Sequence, residues 1–504
     1  MSNQQNKPNI IYILADDMGY GDVSALNKVN CAFKTPNLDE MCEHGIFFTD
    51  AHSSSAVCTP SRYSILTGRY NWRSKLKSNV LSGYSPALIE PNRATIANLL
   101  KKKGYKTAII GKWHLGMDFK KDKTFIERPN YEACIGVDYS AKIENSPITK
   151  GFDYYYGISA SLDMPPYVYI ENDHFTMIPS AETVGERRGM KKCWLRGPKA
   201  DDFKHEEVLP KLTTKMLSKI EEFKKEPFLI YFPLTAPHTP LLPSEEFLGK
   251  SKTNEYGDFV LMCDDIVGQI TKKLKEVGIY GNTIVIFASD NGCSPWVNFK
   301  ELFGKGHNPN YIFRGHKADI YEGGHRIPLI VRWPEKIKFG GRCNQLVCLS
   351  DFLATIADYF GENLPDNVAE DSVSNLPLWF DSNSDEVRSD IVHQSIDGSL
   401  SIRKGNFKLE LCPGSGGWSC PESGEVSYPI PGQENNTMTK FQLYNLKKDI
   451  KETLNIIDRY PKIASGLKTK LAKYILDGRS TPGTVQKNDG EQIWPTIKWF
   501  EEYL

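Results

Sequence analysis

Asn9-Ile-Ile-Tyr-Ile-Leu-Ala-Asp16-Asp17 is an unbroken apolar run that stops on two acids. Seven residues suit a strand buried on both faces, the kind found inside parallel sheets. Working outward, three more runs repeat the design. Lys106-Thr-Ala-Ile-Ile110 leads into Gly111-Lys112-Trp113-His114. Phe228-Leu-Ile-Tyr-Phe232 leads into Ala236-Pro237-His238, and Thr283-Ile-Val-Ile-Phe287 into Ser289-Asp290-Asn291-Gly292. A fifth, Ile327-Pro-Leu-Ile-Val331, follows Glu322-Gly323-Gly324. Helical patterns separate them: Ile96, Leu99 and Leu100 before Gly104, and Phe259 to Leu274 at three- and four-residue spacing before Gly278. Cys263 lies on that stripe and reads as core.

This alternation predicts an α/β domain with a large, mostly parallel central sheet flanked by helices. In such sheets the binding crevice lies beyond the carboxyl ends of the strands. Asp16, Asp17, Lys112, His114, His238, Asp290 and Asn291 are therefore expected on one rim. Each alone is an ordinary turn residue; four strands ending this way is not an ordinary coincidence. Beyond about residue 375 the texture changes. Ser401–Arg403, Phe407–Leu411 and Phe441–Tyr444 read as short strands, and Tyr460–Asp477 as a helix. The expected division is a large α/β domain over residues 1–375 and a smaller antiparallel-sheet subdomain over 376–504.

Composition narrows the function classes. The 504 residues carry 62 Lys plus Arg against 62 Asp plus Glu. With zero formal charge there is no whole-protein field to gather nucleic acid or an anionic membrane. Any bound anion must be caught by a local site. No apolar run approaches the roughly 20 residues needed to cross a bilayer. Met1 to Pro8 lack the apolar stretch of a secretory signal, so the sequence as it stands reads as cytoplasmic, or as periplasmic or secreted if a signal was removed. The 11 cysteines show no zinc-site spacing. Cys412 and Cys420 bracket a Gly-rich loop and could pair in an oxidising compartment.

The sharpest motif is Cys58-Thr59-Pro60-Ser61-Arg62, extended by Leu66-Thr67-Gly68-Arg69. It resembles the signature of type I formylglycine-dependent sulfatases, arylsulfatase A-like members of the alkaline phosphatase superfamily. The resemblance covers residues 8–335 well and the C-terminal part more loosely, through Leu443-Tyr-Asn-Leu446. It implies that a maturase oxidises Cys58 to Cα-formylglycine. A hydrated aldehyde offers two hydroxyls on one carbon: one takes the sulfuryl group, and the other collapses back to the aldehyde and expels sulfate. A thiol lacks that second hydroxyl. The resemblance also implies calcium, held by Asp16, Asp17, Asp290, Asn291 and an oxygen of residue 58; the all-oxygen set suits magnesium too. Asp22 reads as a turn support.

Carried over residue by residue, Lys112 and His114 flank the nucleophile, and His238 and Lys317 contact sulfate. His238 or Lys317 protonates the leaving oxygen, His114 takes the hydrate proton, and Arg62 buttresses residue 58 and the carboxylates. Gly157-Ile-Ser-Ala-Ser161-Leu-Asp163 is similar to a segment whose Ser, here Ser161, touches the sulfate or the nucleophile. Tyr321-Glu-Gly-Gly-His-Arg-Ile-Pro328 matches a mostly structural segment. Sugar choice is expected from loops bearing Asp163, Tyr167, His174, His316 and Trp296, with 414–418 as a further reach. The expected substrate is a sulfated carbohydrate of galactose or N-acetylgalactosamine type. Two rivals stand beside this reading. One is a phosphodiester or phosphonate monoester hydrolase of the same superfamily. The other is a non-catalytic sugar-binding protein in which Cys58 is never converted.

Overall fold

The computed structural model describes residues 7–188, 192–338, 340–419 and 440–504. The opening run is strand β1, Asn9–Ala15, buried along its whole length. The main sheet is completed by β2 (Ile46–Phe48), β3 (Lys106–Lys112), β4 (Tyr154–Ile158), β5 (Ile170–Glu171), β6 (His174–Phe175), β7 (Phe228–Pro233), β8 (Thr283–Ser289), β9 (Leu329–Arg332) and β10 (Gly341–Cys343). The ten strands lie in the order β10-β2-β9-β8-β1-β7-β3-β4-β5-β6. The central five, β8-β1-β7-β3-β4, are all parallel. β9, seen in the sequence as one more run of the same kind, pairs antiparallel to β8, with Ile286 opposite Val331. Periodicity reports burial, not direction, so this could not be read locally.

Helices cover the sheet: α1 (Cys58–Thr67), α2 (Ile96–Lys102), α3 (Val208–Phe223) and α4 (Glu255–Glu276). Asn254 caps α4 by accepting from the N–H groups of Tyr256 and Gly257. Cys263 is fully buried on its inner face. Helix α1 is unusual in burying all ten residues. It ends at Gly68, at φ +66°, where an added Cβ would lie 2.8 Å from that of Ala369.

A second sheet is formed by β11 (Asp390–Gln394), β12 (Leu400–Lys404), β13 (Phe407–Glu410) and β14 (Gln442–Asn445), antiparallel throughout. Helix α5, Pro461–Asp477, packs on β12 and β13. Strand β11 has no counterpart in the sequence reading. Leu378 and Trp379 pack in the core of the large sheet, whereas Ile391 belongs to the core of the small one. Cys420, half of the disulfide considered above, lies outside the described residues. No helix among the described residues is long and apolar enough to cross a membrane.

Candidate active site

The carboxyl ends of β1, β3 and β8 deliver their terminal residues to one place. Asp16 and Asp17 leave β1, with Asp17 in the left-handed region at φ +66°. Lys112 ends β3 and its Nζ donates to Asp16 Oδ2 at 2.7 Å and to Ser161 Oγ at 3.0 Å. Asp290 and Asn291 leave β8, and Asn291 Nδ2 donates to Asp17 Oδ1 at 2.7 Å. Cys58 begins α1 with no side-chain cap, so backbone N–H groups remain for an anion beside it.

Arg62, one turn along α1, donates through Nε and Nη2 to Asp290 Oδ2 at 3.0 and 2.7 Å. Lys317 Nζ donates to Asp17 Oδ2 at 2.6 Å, with His238 Nε2 3.5 Å from the same oxygen. Ser161 Oγ is 3.4 Å from His238. All these groups are buried. Burial lifts the Asp290 carboxyl to about 6 against the pull of Arg62. Asp16 stays well below the ordinary carboxylate range, because Lys112, His238 and Arg62 outweigh its desolvation. Burial also pushes the Cys58 thiol up to about 11, despite Lys112 and Lys317.

Two oxygens in this cluster have no hydrogen-bond partner among the described residues, Asp16 Oδ1 and Asn291 Oδ1. Arg62 Nη2, 3.4 Å from Asp16 Oδ1, is an ion-pair contact only. Buried acceptors left open are costly unless something positive meets them. Asp16, Asp17, Cys58 and His238 bring one ligand-capable atom each within 4.8 Å of one another. The donor set therefore fits a hard divalent cation among carboxylate and amide oxygens.

His114 sits at φ +56°, held by Thr59 Oγ1, which donates to its carbonyl at 3.0 Å. Its Nε2–H donates to the Leu81 carbonyl at 2.8 Å. Its Nδ1 is buried without a partner among the described residues. Burial and the nearby Lys112 hold the ring far below the ordinary histidine range, so it is neutral. A carbonyl fixes the tautomer, leaving a lone pair on Nδ1.

Above this floor opens a cavity of about 620 Å³. Cys58, His114, His238 and Lys317 line its base, and Tyr131, Trp194, Trp296 and Trp418 its sides. Asp163 is on the wall with one oxygen, Oδ1, buried and unpartnered among the described residues.

Of the residues expected at the site, His316 does not reach that wall. It is buried with Nδ1 2.9 Å from the Lys317 carbonyl and Nε2 3.0 Å from Ser419 Oγ. Tyr167 is buried too, its hydroxyl donating to the Leu195 carbonyl at 2.7 Å with the Asp163 carbonyl 3.0 Å away. His174 is exposed on β6, away from the cavity. Asp22 accepts from Gly19 N–H and from the Tyr256 hydroxyl, and contacts His307, supporting the turn after β1. Tyr131 and Trp194 were not singled out by sequence; they sit among short strands with no periodicity to mark an inward face. Gly292 meets the Glu-Gly-Gly segment so closely that a Cβ there would lie 1.8 Å from the Gly323 carbonyl oxygen.

The model of the family described as Sulfatase matches residues 8–362, most of the chain and every residue of the cluster. The chain belongs to the sulfatase family. An N-acetylgalactosamine-6-O-sulfatase of Bacteroides thetaiotaomicron is 32% identical, over 92% of this sulfatase and 93% of that protein. The N-acetylgalactosamine-6-sulfatase of Rattus norvegicus is 30% identical, over 85% and 78%. A solved sulfatase structure from B. thetaiotaomicron, described in connection with the metabolism of multiple glycosaminoglycans, superposes with a TM-score of 0.78. It is 31% identical over 93% of this chain and 99% of that one. The chain is thus a sulfuric ester hydrolase, and the comparisons support neither rival reading.

Proposed function

We propose that this sulfatase removes a 6-O-sulfate from an N-acetylgalactosamine- or galactose-type sugar, with residue 58 acting as formylglycine and calcium held by Asp16, Asp17, Asp290 and Asn291. The observation that carries the site reading is the pair of open oxygens, Asp16 Oδ1 in the Asp16, Asp17, Cys58 and His238 group and Asn291 Oδ1 on the residue bonded to Asp17. The sugar rests on the names of the relatives and on a cavity walled by three Trp side chains, apolar faces on which pyranose rings stack. When bound, calcium supplies a Lewis acid beside the sulfate and the nucleophile. As a hydrated aldehyde, residue 58 supplies two hydroxyls on one carbon.

The chain's own side chains do the rest. Lys112 and Lys317 set positive charge on either side of residue 58 and hold sulfate oxygens. His238, at the cavity base, is placed to protonate the departing sugar oxygen, with Lys317 the alternative donor. His114 Nδ1, bare and unpartnered, accepts the hydroxyl proton as sulfate is released. Arg62 keeps Asp290 in place. Because α1 is buried at every position, the maturase has to meet Cys58 before this segment folds.

The test joins two measurements on one preparation: the mass of the peptide containing residue 58, and turnover of 6-O- and 4-O-sulfated N-acetylgalactosamine, 6-O-sulfated galactose and the matching phosphate esters. The expected result is aldehyde at residue 58 with faster release from 6-O-sulfates than from 4-O-sulfates or phosphates. Aldehyde-bearing protein that spares every 6-O-sulfate would end the substrate reading. Active protein with an unchanged thiol would end the nucleophile reading.

A further inference from the structure

Away from the cleft, three histidines from distant segments converge in a sealed interior. His52 ends the two-residue strand Ala51–His52, His325 ends the short helix Glu322–His325, and His393 is on β11. All three are completely buried. Each offers a ring nitrogen within 4.8 Å of the others.

Their outer nitrogens face oxygen acceptors. His52 Nε2 is 2.9 Å from Asp50 Oδ1, His325 Nε2 is 3.0 Å from the Ile320 carbonyl, and His393 Nδ1 is 3.2 Å from Ser401 Oγ. With an N–H on each outer position, a neutral ring keeps its lone pair on the other nitrogen. Burial favours neutral rings in all three. The remaining nitrogens are then bare: His52 Nδ1 and His325 Nδ1, 2.9 Å apart, and His393 Nε2, buried with no partner among the described residues. Two lone pairs at that distance repel unless a positive centre lies against both. A shifted proton on His325 Nδ1, with Lys408 Nζ donating to His325 Nε2 at 3.1 Å, would relieve that pair. It would leave His393 Nε2 open.

We propose that His52, His325 and His393 together bind one transition-metal dication, with zinc the best suited. Neutral imidazoles are its ordinary ligands, and each ring already has the outer acceptor that orients a metal-bound histidine. Asp50 supplies the carboxylate behind His52, shared with Arg403 and Arg326, and Glu322, within 4.8 Å of both His52 and Asp50, is shared with Lys408 and Arg326. Ligand nitrogens of a tetrahedral zinc site sit about 3.3 Å apart, so the His52–His325 contact has to widen by a few tenths of an ångström. The His325 and His393 rings, stacked at 3.7 Å, have to tilt apart.

The ion would tie the lead-in to the nucleophile onto the C-terminal sheet. Ser53 N–H donates to the His325 carbonyl at 2.8 Å, and Ala56 N–H to the carbonyl of Gln394, next to His393, at 2.9 Å. Cys58 follows two residues later. A site this sealed is loaded as the chain folds.

The experiment therefore uses full-length protein expressed in zinc- or cobalt-supplemented medium, purified in calcium and passed over chelating resin. Elemental analysis is expected to find one tightly held zinc per chain in the wild type and in Asp290→Asn, which separates this site from the cleft. His393→Gln should lose that zinc and unfold at lower temperature. Cobalt-grown wild type should show visible ligand-field bands without the near-ultraviolet charge-transfer band of a thiolate ligand, a readout that stands even if the variant fails to fold. Wild type retaining no more zinc than His393→Gln, cobalt protein without those bands, or cobalt protein with thiolate charge transfer would each overturn the proposal.

Discussion

Two clusters of buried charge lie on either side of the nucleophile's segment, and they handle burial in opposite ways. The cleft cluster leaves Asp16 Oδ1, Asn291 Oδ1 and His114 Nδ1 open, beside a cavity. The interface cluster closes on itself. Lys408 Nζ donates to Glu452 at 2.7 Å, to the Ile320 carbonyl at 2.8 Å and to Glu322 at 3.2 Å, while Arg403 grips both oxygens of Asp50. These contacts join the Glu-Gly-Gly segment and the approach to Cys58 to the small antiparallel sheet. Open partners mark groups held ready for a ligand; closed networks mark groups that hold the architecture. Among the described residues, the His52, His325 and His393 group and Glu410, whose two oxygens lack a hydrogen-bond partner, depart from this rule.

Breaking the comparison should separate activity from stability. The largest effect is expected for Cys58→Ala: sulfate release falls by at least about 10⁴-fold, with the unfolding midpoint unchanged. Retained turnover would remove Cys58 from the nucleophile's place. His114→Ala should slow turnover by about 10²–10⁴-fold. Here rapid mixing should show a burst of desulfated sugar followed by slow sulfate release; loss of the burst would assign His114 to an earlier step. Lys408→Met should do the reverse. Leaving carboxylates buried without their cation costs about 3–5 kcal/mol, read as an earlier unfolding midpoint, while KM of the folded enzyme stays put.

The smallest effect sharpens the closed side. Burial holds the Glu410 carboxyl well above its ordinary value of 4.5, against the pull of Lys408. A raised carboxyl pKa gives stability that is complete below about 4.5 and fades as pH rises towards the folded value. Glu410→Gln should therefore match wild type in mild acid and exceed it slightly at alkaline pH. Parallel stability curves across pH would show that Glu410 is not held protonated.

The acids, Lys112 and His114 were legible because strand ends in a parallel sheet share one rim, so a one-dimensional pattern already implied their meeting. Cys58 was legible as a motif at a helix start. Tyr131, Trp194 and the three histidines were not, since nothing in their local spacing says which way they face. His316 misled for the same reason: its neighbour Lys317 points to Asp17, while its own ring turns towards Ser419.

What the amino-acid order determined by itself is local: which runs are strands buried on both faces, where they end, which residue opens α1, and the chemistry available at those ends. Hydrophobic period and turn chemistry act over a few residues, so a sequence displays them openly. Only the tertiary structure decided that β9 runs antiparallel, that Asp16 and Asn291 keep open oxygens, and that histidines 68 to 341 residues apart share one interior. Those outcomes depend on close packing between distant segments, and on the cost of leaving a buried polar atom alone.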